Sequence, residues 1–326
     1  MDLSQLRKKG YQVIPNVLSE KECDQFISQL WDWLEGLDTG IRRKDPKTWH
    51  RDNWPISSRG IIHQYGAGHL QPVWDIRTHP NVIKAFEKIW KTDELLVSFD
   101  GLCIMKPGKY ASYNQKSWYH TDQSSKKIGK HCIQGFVTLE TVSEEDGSLM
   151  VYENSHRYHQ KMFERNGVVT KIDWHKLSPD DLTWLESKRS VKEKRVTASK
   201  GSLVLWDSRT IHCNAPPFKN QTVPRFRYVV YVCMTPRRLA SEWQLTKKQT
   251  AFNDQRTTSH WPHQIRVFPK KPHTYGKPVP PYVMPGKPVM TKRGEQLAGL
   301  IPYDTKQSKP GSKSKPDPKE QVERID

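Results

Sequence analysis

The residues best equipped for chemistry sit in two short segments, SWYHTDQ (117–123) and LWDSRTIHCN (205–214). The first carries His120 and Asp122, two positions apart. In an extended chain, side chains alternate between faces, so positions i and i+2 point the same way and an imidazole stands beside a carboxylate. His212 lies much further along, just after an apolar strand-like run. Brought together, the three form two imidazoles and one carboxylate on one face of an octahedron, with the opposite positions open. That arrangement is the mark of non-haem iron(II) oxygenases, whose metal must bind a cosubstrate and O2 at once. A His-x-Asp triplet alone is weak among thirteen histidines; its place among strands and the later His212 raise its weight.

A second charged group follows in the strand-like run RFRYVVYVC (225–233). The period of two puts Arg225, Arg227, Val229 and Tyr231 on one face. A guanidinium pointing into an apolar interior is costly unless it meets an anion, and its planar fork matches a carboxylate in bidentate fashion. A bound dicarboxylate would supply that anion, with Arg227 the first choice as anchor and Arg225 the second. A structural salt bridge is the competing reading.

The segments WYHTDQ (118–123), GSLMVYENSH (147–156), WDSRTIH (206–212) and FRYVVY (226–231), with the opening GYQVIP (10–15), resemble the phytanoyl-CoA dioxygenase family over about residues 8 to 240. The resemblance implies a double-stranded β-helix, the jelly roll of cupin-like proteins. It also implies Fe(II), 2-oxoglutarate and O2 as cofactor and cosubstrates, and succinate and CO2 as coproducts. By the family pattern His120, Asp122 and His212 match the iron ligands, and Arg227 matches the residue that pairs with the distal carboxylate of 2-oxoglutarate. Lys106 resembles a position near the cosubstrate, and Phe136 an aromatic beside the site. The sequence departs from the family at Glu153-Asn154, where Pro-Gly is usual, and Asn still accommodates a left-handed turn. Residues 36–78 and those after 240 differ from fatty-acyl members, so a CoA ester is not implied. Asp122 is intact, which argues against a halogenating relative.

The elements that must position these groups read as a mainly β core with flanking helices. Strands are expected at Tyr11–Pro15, Leu95–Lys106, Ile133–Val142, Ser148–Tyr152, Gly201–Trp206 and Phe226–Met234, the spacing of an all-β core with long inserts. Ser19 and Glu22 form a capping box ahead of a helix whose apolar face is Cys23, Phe26, Ile27, Leu30, Trp31 and Leu34. Pro80–Trp90 reads as a second helix, with Pro at its first position. A helical insert is expected near 157–190, its second helix opened by Ser178-Pro179-Asp180-Asp181, and Ser241–Phe252 completes the set. Residues 1–262 thus read as one oxygenase domain, 263–303 as a Pro- and Lys-rich extension packed on it, and 304–326 as a disordered tail.

Within the irregular stretch 36–78, His63, Gln64 and His69 could form a lid or a substrate contact. Asp207 and Arg209 could line the pocket or hold a turn, and Tyr113 and Asn114 could reach the cosubstrate. Ser155-His156 lacks a nucleophile elbow and is no hydrolase signal.

The chain has 326 residues and a net charge of +18, which attracts anions without choosing among them. A small or conjugated organic substrate is the leading expectation. A nucleobase or other polyanion is the alternative prompted by the charge, and a non-catalytic binding protein on the same scaffold the third. The basic run Lys188–Arg195 lacks the aromatic partners of a nucleic-acid contact. Five scattered cysteines, with no C-x-x-C pair, fit a reducing compartment. No signal-like or membrane-spanning run stands out, so a soluble cytoplasmic protein is expected.

Overall fold

The protein is described by a computed structural model covering residues 1–110, 113, 116–271, 274, 279 and 282–304. The chain runs through α1 (Ser4–Lys9), β1 (Tyr11–Ile14), α2 (Glu20–Gly36), β2 (Ile61–Ile62), α3 (Gln71–Arg77) and α4 (Pro80–Trp90). Next come β3 (Leu95–Val97), β4 (Leu102–Met105), β5 (His120–Thr121), β6 (Ile133–Thr138), β7 (Ser148–Glu153), α5 (His159–Asn166) and β8 (His175–Lys176). It closes with α6 (Pro179–Glu186), β9 (Lys192–Arg195), β10 (Leu203–Asp207), β11 (His212–Ala215), β12 (Arg227–Pro236), α7 (Glu242–Asn253) and α8 (Lys292–Ala298).

The strands form two antiparallel sheets. The larger is ordered β1-β10-β6-β12-β4-β2, with β3 also pairing to β12, and the smaller is β8-β5-β11-β7-β9. They face each other as an open jelly-roll sandwich and do not close into a barrel. Alternation along the strands sorts the side chains into layers. Leu203, Leu205, Leu102, Ile104, Tyr228, Val230 and Val232 pack outward against α2, α3 and α4. Val204, Trp206, Cys103, Met105, Phe136 and Val229 point inward, to meet Leu149 and Val151 of the smaller sheet. The insert bearing α5 and α6 covers the far side of that sheet through Met162, Phe163 and Leu185. Because both faces of the larger sheet are covered, its strands read as nearly continuous apolar runs rather than as alternating ones.

The helix signals hold. Ser19 and Glu22 make reciprocal capping bonds at the start of α2, and Ser178 and Asp181 do the same at α6, with Pro179 in its first turn. Two strand expectations need correction. The single strand Leu95–Lys106 is two, broken at Ser98–Gly101, and the halves pair with opposite ends of β12. At Gly101 a Cβ would lie 1.9 Å from the carbonyl oxygen of Ile62, so only glycine lets β2 come this close. The basic run 188–195 is partly the edge strand β9, paired to β7.

After β12 the chain folds back on the core. Thr258 and Val267 pair in a short ladder, and α8 buries Leu297 and Ala298. Of the tail expected at 304–326, everything beyond Asp304 lies outside the described residues, as does Asn114. No helix among the described residues is long and apolar enough to cross a membrane.

Candidate metal centre

His120 on β5 and His212 on β11 stand directly opposite each other across an antiparallel ladder, with ring centroids 4.3 Å apart. Each ring is held by its Nδ1, which bonds the carbonyl oxygen two residues earlier: Trp118 at 3.1 Å for His120 and Thr210 at 2.9 Å for His212. Such a bond places the proton on Nδ1 and leaves the Nε2 lone pair free for a metal. Asp122 completes the group. Its Oδ2 lies 3.6 Å from His120 Nε2 and 3.2 Å from His212 Nε2. One ligand atom from each of the three falls within 4.8 Å of the others, a spread that a first-row ion with bonds near 2 Å spans.

Neighbouring groups fix the carboxylate. Gln134 Nε2, from the inner face of β6, donates to Asp122 Oδ2 at 3.0 Å. The Asp122 N–H donates to the Ser208 carbonyl, and Thr121 Oγ1 donates to the same oxygen. Burial by itself would raise the Asp122 carboxyl. His260 and His120 beside it hold it well below the usual carboxylate range. Burial and the neighbouring His120 push the His212 imidazole down, which favours the neutral, metal-binding form. Trp118 stacks on His120 at 4.6 Å and Trp206 lies 5.4 Å from His212, so aromatic walls shield both rings.

Arg227, at the start of β12, also points between the sheets and is 2% exposed. Its Nη1 lies 3.4 Å from Cys103 Sγ, and its guanidinium sits 5.1 Å from the Phe136 ring centroid. Among the described residues, Nε and Nη2 have no hydrogen-bond partner. A buried, unpartnered fork of this kind fits a carboxylate. The expected aromatic at Phe136 is thus in contact with Arg227. Arg225 differs: it is partly exposed and pairs with Asp146 at 3.5 Å. Between Arg227 and the histidines, Tyr231 accepts a bond from Asn214 Nδ2 at 3.3 Å. Tyr231 shares Arg227's face of β12, and Asn214 shares His212's face of β11.

Lys106 does not join this group. Parity along β4 turns it, with Leu102 and Ile104, to the helical side of the larger sheet. There its Nζ donates to the Trp49 carbonyl and lies 4.8 Å from the Trp54 ring centroid. Asp207 and Arg209 pair with each other and shape the turn before His212. Tyr113 binds the Lys106 backbone through its hydroxyl. Of the histidines in 36–78, His69 is tied to the Arg256 carbonyl, while His63 lines the cavity in front of the metal group.

That cavity has a volume of about 130 Å³, and its walls include Ile61, His63, Asp100, Trp118, Tyr231 and His260. Asn214, Tyr231 and Gln134 went unremarked as site residues in the sequence. The first two carry a signal, same-face spacing from His212 and Arg227; Gln134 carries none.

The model of the phytanoyl-CoA dioxygenase family matches residues 6–216. The chain belongs to the phytanoyl-CoA dioxygenase family. With it the chain is an iron(II)- and 2-oxoglutarate-dependent oxygenase. It is 31% identical to the Ava biosynthesis cluster protein O of Aspergillus versicolor, over 80% of this chain and 85% of that protein. It is 24% identical to a putative phytanoyl-CoA dioxygenase of Dictyostelium discoideum, over 62% and 67%. Among solved structures it is similar to GlcNAc Inducible Gene 2 of Candida albicans, at 16% identity and a TM-score of 0.51, covering 77% of this chain and 66% of that one. That likeness concerns the fold alone.

Proposed function

We propose that this family member binds Fe(II) through His120, Asp122 and His212, anchors 2-oxoglutarate through Arg227, and hydroxylates a small or conjugated organic substrate with release of succinate and CO2. The observation that carries the reading is a cavity lined by His120, Asp122 and His212, whose ligand atoms lie within 4.8 Å of one another, together with a buried guanidinium that has two nitrogens without a partner among the described residues. When bound, the iron supplies the oxidising chemistry by coupling O2 to decarboxylation of the cosubstrate.

The chain's own residues have simpler tasks. The Trp118 and Thr210 carbonyls set the tautomers of the two imidazoles. Gln134 holds Asp122 in one orientation. Arg227 gives the cosubstrate a fixed distal end, so that its other end reaches the metal in one pose, and the Trp118 and Trp206 rings keep bulk water from the histidines.

The test has two arms. Succinate should accumulate when protein, Fe(II), 2-oxoglutarate and O2 are combined. His212→Ala should abolish metal binding, read as bound metal per chain after desalting, while the circular dichroism spectrum stays that of the wild type. Full metal binding by the variant would remove His212 from the ligand set.

A further inference from the structure

The cavity has a second wall beside the metal group. It is built from His63, Asp100, Ser259, His260 and Phe268, and the last three lie beyond the stretch that the family model matches. A short hairpin carries them. Thr258 pairs with Val267, and Ser259 exchanges bonds with the Arg266 backbone. Thr258 and Phe99 bond each other, which locks the hairpin beside Asp100. Phe268 stacks on His63 at 4.5 Å. The wall is therefore rigid and belongs to this chain's own elaboration of the fold.

Its polar atoms are incompletely satisfied. Asp100 is 8% exposed. One carboxylate oxygen, Oδ2, accepts a bond from Ser98 Oγ at 2.9 Å; among the described residues no cation pairs with the other. The nearby cations are committed elsewhere. Arg77 donates to the carbonyls of Gly68, Asp100 and Tyr231, and Lys248 to that of Val97. Among the described residues, buried His63 Nδ1 and His260 Nε2 have no partners. Buried polar groups left in this condition cost free energy until something meets them.

We propose that this wall is the substrate-reading surface, and that the substrate presents a protonated nitrogen to Asp100, with His63 and His260 as accessory acceptors. The inference rests on the function proposed above and names its substrate class. Charge supports it. With metal and cosubstrate bound, the two metal charges and Arg227 would balance Asp122 and the two carboxylates of 2-oxoglutarate, and Asp100 is the further carboxylate lining the cavity, its charge favoured in part by Arg77 and Lys248. Burial raises the Asp100 carboxyl although His260, Arg77, the Ser98 bond and Lys248 pull the other way, and a cation paired with it directly would favour the charged form further. A phosphorylated ligand would set its own charge against Asp100, which opposes the polyanion expected from net charge alone.

Isothermal titration with benzylamine, benzyl alcohol and benzoate, near-equal in size, tests the idea. The protein is used metal-free and also loaded with Mn(II) and 2-oxoglutarate without O2. Benzylamine should bind at least about tenfold more tightly than benzyl alcohol, as expected for a charge-assisted hydrogen bond, with benzoate weakest. Asp100→Asn should bring the amine and alcohol within about threefold, and His260→Leu should weaken the amine less. Equal binding, a preference for benzoate, no amine binding, or an amine preference that survives Asp100→Asn would each overturn the proposal. Failure to take up Mn(II) and 2-oxoglutarate would instead sink the metal-site reading, and the metal-free titrations would still decide the role of Asp100.

Discussion

Arg77 and Arg227 are both long cations buried in the same sandwich, at 0% and 2% exposure, yet they are held in opposite ways. Arg77, at the end of α3, meets three backbone carbonyls with Nε, Nη1 and Nη2, stitching the helical layer to β12 and to the break between β3 and β4. Arg227 touches a sulfur and a ring and leaves two nitrogens unpartnered. A buried cation that is satisfied internally stabilises the fold. One left unsatisfied is held ready for something that is not part of the chain. Burial alone does not separate the two; the count of satisfied donors does.

Four substitutions sharpen or break that contrast. Arg77→Ala should have the largest effect, because it strands three buried carbonyls. Denaturant unfolding should show a loss of about 3 kcal/mol or more, and a loss below about 1 kcal/mol would mean the carbonyls find other donors. Arg227→Ala should leave unfolding nearly unchanged, since few bonds are lost. It should weaken 2-oxoglutarate binding by about a hundredfold, near the upper end for a hydrogen bond to a charged group, measured by titration of the metal-loaded protein. Arg225→Ala should change that affinity by less than about threefold, because its partner is Asp146; the reverse order would move the anchor there. Lys106→Met should have the smallest effect on cosubstrate affinity, within about twofold. Its thermal unfolding should shift modestly, since it loses the Trp49 bond and the Trp54 contact.

Much of the frame was legible in the residues. A capping box marked the start of α2, and an N-cap Ser followed by Pro and a first-turn acid marked that of α6, because these are local patterns that need no tertiary partner. The i, i+2 spacing of His120 and Asp122, and Arg227's parity with Val229, placed side chains on correct faces because strand geometry is nearly invariant. The same parity, applied to Cys103, Met105 and Lys106, turns Lys106 away from the interior, and the family resemblance pulled the other way. β5, β8 and β11 were not legible, since runs of two to four residues are too short to show a period. Asp100 and His260 were invisible as a wall because no spacing links a bend after β3 to a hairpin after α7; only the fold brings them to one cavity.

The direct pairing of His120 with His212 has one more consequence. A shift of β11 by a single residue would turn His212 to the opposite face of the smaller sheet and present Ile211 or Cys213 in its place. On the proposed ligand set, tight metal uptake would be available only to chains whose strands have mated in the right frame, so the ion would act as a proofreader of assembly, rewarding the correct alignment during folding and leaving misaligned molecules without that extra hold.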